Sequence, residues 1–339
     1  MDPFTRCQPT RRTLGSYLIQ AAAIGTRGFG QDVHDLGPLK NSREVKRFKE
    51  AQSRLFSSLK FRARSHYLKL SRPAVKAYIV EAGRGDPVIF LCGGPTVAVF
   101  APMMAAFARD YHTFGIDRPG SGLSDRLDYR GTPYRDLCVA FVRSVFDQLK
   151  FRKAVLVGNS MGGYFSLVFA LAEPQRVGKI VFLGEVAGSS SDQARQRLSP
   201  TASPAPVQPV PVASIERTKA SLGRVIANVD RVPREIIDVM HAANMMPGIN
   251  SSMATMMEQI RRDDFQLTWS LRPAMSRLAI PTLFIWGDHD SLGPPSLGRE
   301  MARIMPNARC EVLEDAGHLP WLDQPERCVT LARDFIHGN

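Results

Sequence analysis

The chain of 339 residues has few cysteines, a deficit of acidic residues and no long apolar run. Its five cysteines, Cys7, Cys92, Cys138, Cys310 and Cys328, are odd in number and show no framework spacing. That argues against a disulfide scaffold and predicts reduced thiols in a cytoplasm. No Cys/His group has zinc-ligand spacing, so neither a metal nor another cofactor is expected. No apolar stretch approaches the roughly 20 residues that span a bilayer, which predicts no transmembrane segment. Acidic residues number 32 against 44 basic ones, a net charge of +12. The imbalance is local: residues 1–76 hold 16 Lys/Arg and 5 Asp/Glu, and the remainder is close to neutral. A basic chain therefore does not imply a basic active site, and no motif points to nucleic acid. The basic segment reads as a solvated arm, with peripheral contact to an acidic membrane surface as the sharper alternative.

What is present centres on Val157-Gly158-Asn159-Ser160-Met161-Gly162-Gly163, a Gly-x-Ser-x-Gly motif. It follows the apolar run Ala154–Val157 and precedes a helix-like run, so a serine stands at the apex of a strand–turn–helix. A serine hydroxyl needs a base to take its proton, and the base needs a partner to fix its tautomer. Downstream, the strand-like Pro281–Trp286 runs into Gly287-Asp288-His289-Asp290, and Ala308–Leu313 runs into Glu314-Asp315-Ala316-Gly317-His318. Both are loops at strand carboxyl ends, where open α/β sheets place their chemistry.

From about Ala74 to His337 the chain resembles the α/β-hydrolase superfamily. Four motifs carry the resemblance: Cys92-Gly93-Gly94-Pro95, Asp117-Arg118-Pro119-Gly120-Ser121-Gly122, Gly158 to Gly163, and Gly287 to Asp290 with Gly317-His318. It implies Ser160 as nucleophile, His318 as general base and Asp290 as acid. Asp288 and Glu185 are the alternative acids. The oxyanion donors would be the backbone N–H groups of Met161 and Gly94. Most relatives begin the oxyanion loop with His-Gly. Cys92-Gly93 stands here, which predicts a weaker brace with the backbone donor retained. Asp117 and Arg118 are expected to order the loop rather than to react.

Strands alternating with helical patterns predict a doubly wound, mostly parallel eight-stranded sheet, with its first two strands as an antiparallel edge. Residues 1–60 read as an N-terminal extension. Met1–Thr5 resembles a cloning leader, and Arg11-Arg12 with the modestly apolar stretch to Gly25 is a faint twin-arginine export pattern, a minority reading beside the cytoplasm. Asn41 to Leu59 patterns as an amphipathic helix. The core is assigned to 61–184 and 274–339. Residues 185–273 would form a Pro/Ser-rich linker and a helical cap inserted after strand 6, broken at Pro233 and Pro247. The cap is rich in methionine, and Met245 and Met253 are the candidates to face the substrate pocket.

A serine rather than a carboxylate at the elbow points to acyl transfer. The leading expectation is hydrolysis of a carboxylic ester or lactone of a small apolar substrate. The first alternative is carbon–carbon bond hydrolysis, because the elbow is similar to that of the meta-cleavage product hydrolases. The second is a ligand receptor on the same fold. The sequence carries no signal of oligomeric state.

Overall fold

A computed structural model describes residues 42–187, 214–263 and 271–338. The leader, the Arg11-Arg12 pattern and the Pro/Ser-rich linker lie outside the described residues.

Helix α1 (Arg43–Ser58) begins at Ser42, whose hydroxyl accepts the Val45 N–H at 3.4 Å. Val45, Phe48, Ala51, Gln52 and Leu55 recur at helical spacing and are buried together. Each of the larger apolar side chains contributes about 1.5–3 kcal/mol on burial. The Gln52 Nε2 donates to the Tyr78 hydroxyl at 2.8 Å, while its Oε1 is buried without a hydrogen-bond partner.

The strands β1 (Arg64–Ser71) and β2 (Ala74–Ala82) pair antiparallel, with Leu70 opposite Val75. Strand and helix then alternate through β3 (Pro87–Leu91), α2 (Ala101–Phe107), β4 (His112–Ile116), α3 (Tyr134–Gln148), β5 (Ala154–Asn159), α4 (Ser160–Ala172) and β6 (Val177–Leu183). A helical insertion follows, with α5 (Ile215–Leu222), α6 (Arg234–Asn244), α7 (Ile249–Arg262) and α8 (Arg272–Met275). The chain returns to the sheet with β7 (Thr282–Gly287), α9 (Pro295–Ile304) and β8 (Ala308–Leu313), and continues through α10 (Pro320–Asp323) and α11 (Pro325–His337).

The sheet has eight strands in the order β1-β2-β4-β3-β5-β6-β7-β8. Strand β2 is antiparallel to both neighbours and every other pairing after it is parallel. The expected α/β-hydrolase architecture, antiparallel edge included, is therefore present. Parallel strands covered on both faces must be apolar on both. Leu156 enters one core cluster with Phe141, Phe165 and Trp286, and its neighbour Val157 enters the other with Phe48, Phe90 and Trp321.

The insertion breaks where proline and glycine dictate. Pro233 immediately precedes α6, and Gly248, at φ 72°, turns the chain into α7. Helix α6 packs against α1. Helix α7 is tied to the segment after β4: the Leu127 N–H donates to Ser252 Oγ (3.1 Å), the Tyr134 N–H to Asp263 Oδ2 (2.6 Å) and Arg126 Nε to the Pro247 carbonyl (2.7 Å). Among the described residues no helix is long and apolar enough to cross a membrane.

Candidate active site

Ser160 stands between β5 and α4 with φ 52°, a left-handed conformation that costs a side-chain-bearing residue energy and is over-determined by its surroundings. Gly162 shows how tight the turn is. A Cβ there would lie 2.0 Å from the Leu91 carbonyl oxygen at the end of β3. Gly93 is its counterpart across the gap, since a Cβ on it would reach 2.5 Å from Cβ of Ser160 and 2.9 Å from N of Met161. The loop after β3 thus lies directly against the elbow. Met161 is in the first turn of α4, where main-chain N–H groups have no intrahelical acceptor.

His318 is buried in the loop after β8. Its Nδ1 lies 3.0 and 3.2 Å from Oδ2 and Oδ1 of Asp290. Of the three candidate carboxylates, Asp290 is the one on the imidazole. Its oxygens also accept the N–H groups of Glu185 (2.8 Å) and Leu292 (2.9 Å), which orient it. Asp288 instead accepts from Ala316 N–H at 3.1 Å and pairs with His289 at 2.7 Å. Glu185 contributes its backbone to Asp290. The other imidazole nitrogen, Nε2, is buried without a hydrogen-bond partner. The Ser160 hydroxyl therefore does not hydrogen-bond it in this state, a contact that in substrate-free enzymes commonly tightens on binding.

Asn159 was invisible to motif reading, where it is only the variable position before the serine. Its Nδ2 donates to the carbonyls of Leu183 (2.7 Å) and His318 (3.1 Å), joining elbow, β6 and the histidine loop. The available signal was a polar residue closing a buried apolar strand, which must find partners.

The loop beginning at Cys92 is more firmly held than its missing histidine predicts. The brace is Arg118. That buried guanidinium donates to the carbonyls of Cys92 (2.6 Å), Gly93 (2.9 Å) and Gly94 (3.4 Å) and lies 5.7 Å from the Phe165 ring centroid. The Gly94 N–H, expected as the second oxyanion donor, donates to Cys92 Sγ at 3.2 Å in this state. Burial pushes the Cys92 thiol up to about 11, so its sulfur accepts as a neutral thiol. Asp117, also buried, accepts from Val97 N–H (2.7 Å), Thr96 Oγ1 (3.0 Å) and Leu123 N–H (3.0 Å). Burial raises its carboxyl above the usual range although these donors work in the opposite direction. Asp117 and Arg118 thus hold the loop, as their sequence context implied.

A cavity of about 20 Å³ lies between this loop and α7, lined by Gly94, Pro95, Arg118, Tyr129, Met253 and Met256 among others. It has room for about one water molecule. Met253 is therefore beside the candidate site. Met245 is not: it lines a separate groove of about 410 Å³ between α1 and the insertion, with Arg47, Arg54 and His241. The reason is the neighbour that each helix packs on. Met245 ends α6, which turns toward α1, whereas Met253 is on α7, which faces the Arg118 loop. Among the described residues no three His, Cys, Asp or Glu side chains come together as a metal-binding set.

A family model described as the alpha/beta hydrolase family matches residues 88–331. The chain is 26% identical over 275 residues to a 2-hydroxy-6-oxononadienedioate/2-hydroxy-6-oxononatrienedioate hydrolase of Burkholderia vietnamiensis, covering 77% of this chain and 91% of that one. Among solved structures it resembles a carboxylesterase of Bacillus subtilis (TM-score 0.66, 18% identity, 88% of this chain and 100% of that one). It also resembles a meta-cleavage product hydrolase of Pseudomonas fluorescens (TM-score 0.66, 23% identity, 80% and 97%). Both likenesses speak to fold. With the sheet order, the elbow and a family match spanning most of its length, the chain belongs to the alpha/beta hydrolase family.

Proposed function

We propose that the protein is a serine hydrolase that cleaves a carbon–carbon bond next to a ketone in a vinylogous diketone, the chemistry of meta-cleavage products. The observation that carries this reading is the relationship to hydrolases named for 2-hydroxy-6-oxo dienedioate substrates, which extends over 91% of the Burkholderia vietnamiensis chain. It reverses the order expected from sequence, in which ester hydrolysis led.

In this reading Ser160 Oγ attacks the ketone carbon as His318 Nε2 takes its proton, and Asp290 holds Nδ1 of the resulting imidazolium. The carbonyl oxygen becomes an oxyanion received by Met161 N–H and by Gly94 N–H once the latter leaves Cys92 Sγ. Collapse breaks the carbon–carbon bond. The departing carbon, made sp3 beforehand by tautomerisation of the 2-hydroxy dienoate to its diketo form, keeps the electron pair as a conjugated enolate and takes the proton from His318. Water then hydrolyses the acyl-enzyme to the acid. Each oxyanion donor is worth about 3 kcal/mol of barrier. The insertion acts as a cap that excludes water during the first half-reaction.

Ester hydrolysis is the second reading, favoured by the lining of the small cavity. Among the described residues that line it Arg118 is the single cation, and its guanidinium is committed to three loop carbonyls. The other lining side chains are uncharged, with Tyr129, Ile249, Met253 and Met256 beside Ser121 and Ser252, so beyond the committed Arg118 none offers a charge to a substrate carboxylate. The test is a direct comparison of kcat/KM for a 2-hydroxy-6-oxo dienoate and for p-nitrophenyl esters of graded acyl length. The carbon–carbon reading requires the dienoate to exceed the best ester by tenfold or more. The opposite ranking replaces it with the ester reading.

A further inference from the structure

The loop carrying His318 is held by its backbone as well as by Asp290. The His318 N–H donates to the carbonyl of Val225, in the insertion, at 2.6 Å. A Cβ on Gly317 would lie 2.6 Å from Cα of Ile226, so the two segments touch main chain to main chain. Joining them is Asp323, at the end of α10, with only 5% of its surface exposed. Its Oδ2 accepts the Gly317 N–H at 2.8 Å. The same carboxylate accepts the Ala227 N–H at 3.0 and 3.1 Å and the Asn228 N–H at 3.2 Å. One side chain thus gathers an amide next to His318 and two amides of the insertion.

We propose that Asp323 is a positioning residue that locks segment 225–228 of the insertion onto the histidine loop, so that His318 is held in register only while that segment is docked. The inference rests on the reading of His318 as general base. Chemistry favours a carboxylate here. Three N–H donors converge on it, and an ionised acceptor offers two oxygens and stronger bonds than a neutral one. An amide in its place offers one oxygen and turns its own N–H groups toward the backbone donors. Nε2 of His318 has no partner to steady the ring from the other side. The imidazole therefore depends on Asp290, on the Asn159 bond to its carbonyl and on this clamp.

Two measurements on the full chain test the proposal. Asp323→Asn should lower kcat on p-nitrophenyl acetate at least tenfold with KM within threefold of wild type. Fluorophosphonate labelling of Ser160 should slow to the same degree, and Asp323→Glu should recover at least a third of the wild-type kcat. In the unmodified protein, native-state hydrogen exchange should give the amides of Ala227, Asn228, Gly317 and His318 protection factors within about threefold of one another. An Asp323→Asn enzyme with kcat within twofold of wild type overturns the proposal. So do amides at 227 and 228 that are a hundredfold less protected than those at 317 and 318. The exchange experiment decides alone should the asparagine variant not fold. It involves no turnover, so a Ser160→Ala enzyme that stays active sinks the functional reading and leaves the clamp to be judged separately.

Discussion

The backbone N–H of Gly94 donates to the sulfur of Cys92, two residues earlier and 3.2 Å away. A sulfur is a weak acceptor, so in the proposed reaction this bond would give way to a developing oxyanion. Removing the thiol should make the donor available at once. Cys92→Ala is expected to raise kcat two- to fivefold, with stability lower by about 1–2 kcal/mol for the lost buried volume. Steady-state kinetics and a urea melt measure the two effects. Unchanged kcat in a folded variant excludes the sulfur as a competitor for that donor.

Ser160→Ala should remove more than 99% of turnover and leave the fold in place. Asp290→Asn should reduce kcat by about a thousandfold or more, since the amide favours the wrong imidazole tautomer. Glu185→Gln, whose backbone rather than carboxylate reaches Asp290, should change kcat less than tenfold. Single-turnover and steady-state rates on the preferred substrate rank the three. A ranking with Glu185→Gln below Asp290→Asn reassigns the acid.

Arg118→Lys should cost activity out of proportion to stability. A lysine ammonium cannot reproduce a planar fork across three successive carbonyls. We expect kcat to fall ten- to a hundredfold with KM little altered, read from a substrate titration alongside a thermal melt. A loss confined to KM means that the guanidinium binds substrate instead of bracing the loop.

Thiol chemistry provides a pH-dependent test. Burial pushes Cys92 and Cys310 up to about 11 and moves Cys138 and Cys328 upward as well. Their neutral forms are the ones the fold favours, so thiolate becomes abundant only as pH climbs through the raised value. At pH 8 a thiol of pKa 11 is ionised on the order of once per thousand molecules. Iodoacetamide at pH 8 should leave all four unmodified in the native protein and label them in urea. Peptide mass spectrometry measures this, and rapid native labelling of Cys92 is incompatible with its burial.

The fold was legible because its determinants are local and repetitive. The apolar runs that became β3, β5, β6 and β7 announce themselves, and Pro233 and Gly248 mark breaks in the insertion. Chain order and loop position pointed to Ser160, His318 and Asp290. The remaining features depend on side-chain direction, which spacing does not encode. Whether Cys92 Sγ meets the Gly94 N–H is a matter of one rotamer. That Arg118 would order the loop was expected from its motif, but not that its guanidinium does so by reaching three carbonyls some 25 residues away. Met245 and Met253 look alike in sequence and part company because α6 and α7 face different neighbours.

The packing of α1 on α6 has a consequence for biosynthesis. The apolar stripe of Phe48 and Leu55 leaves the ribosome on the order of 190 residues before Ile236 and Ala243, with which it shares a core. At roughly 5–20 residues per second, the part of the stripe that α6 covers stays exposed for about ten to forty seconds. Nascent chains of this protein should therefore be clients of a chaperone that shields hydrophobic helices until translation has passed α6.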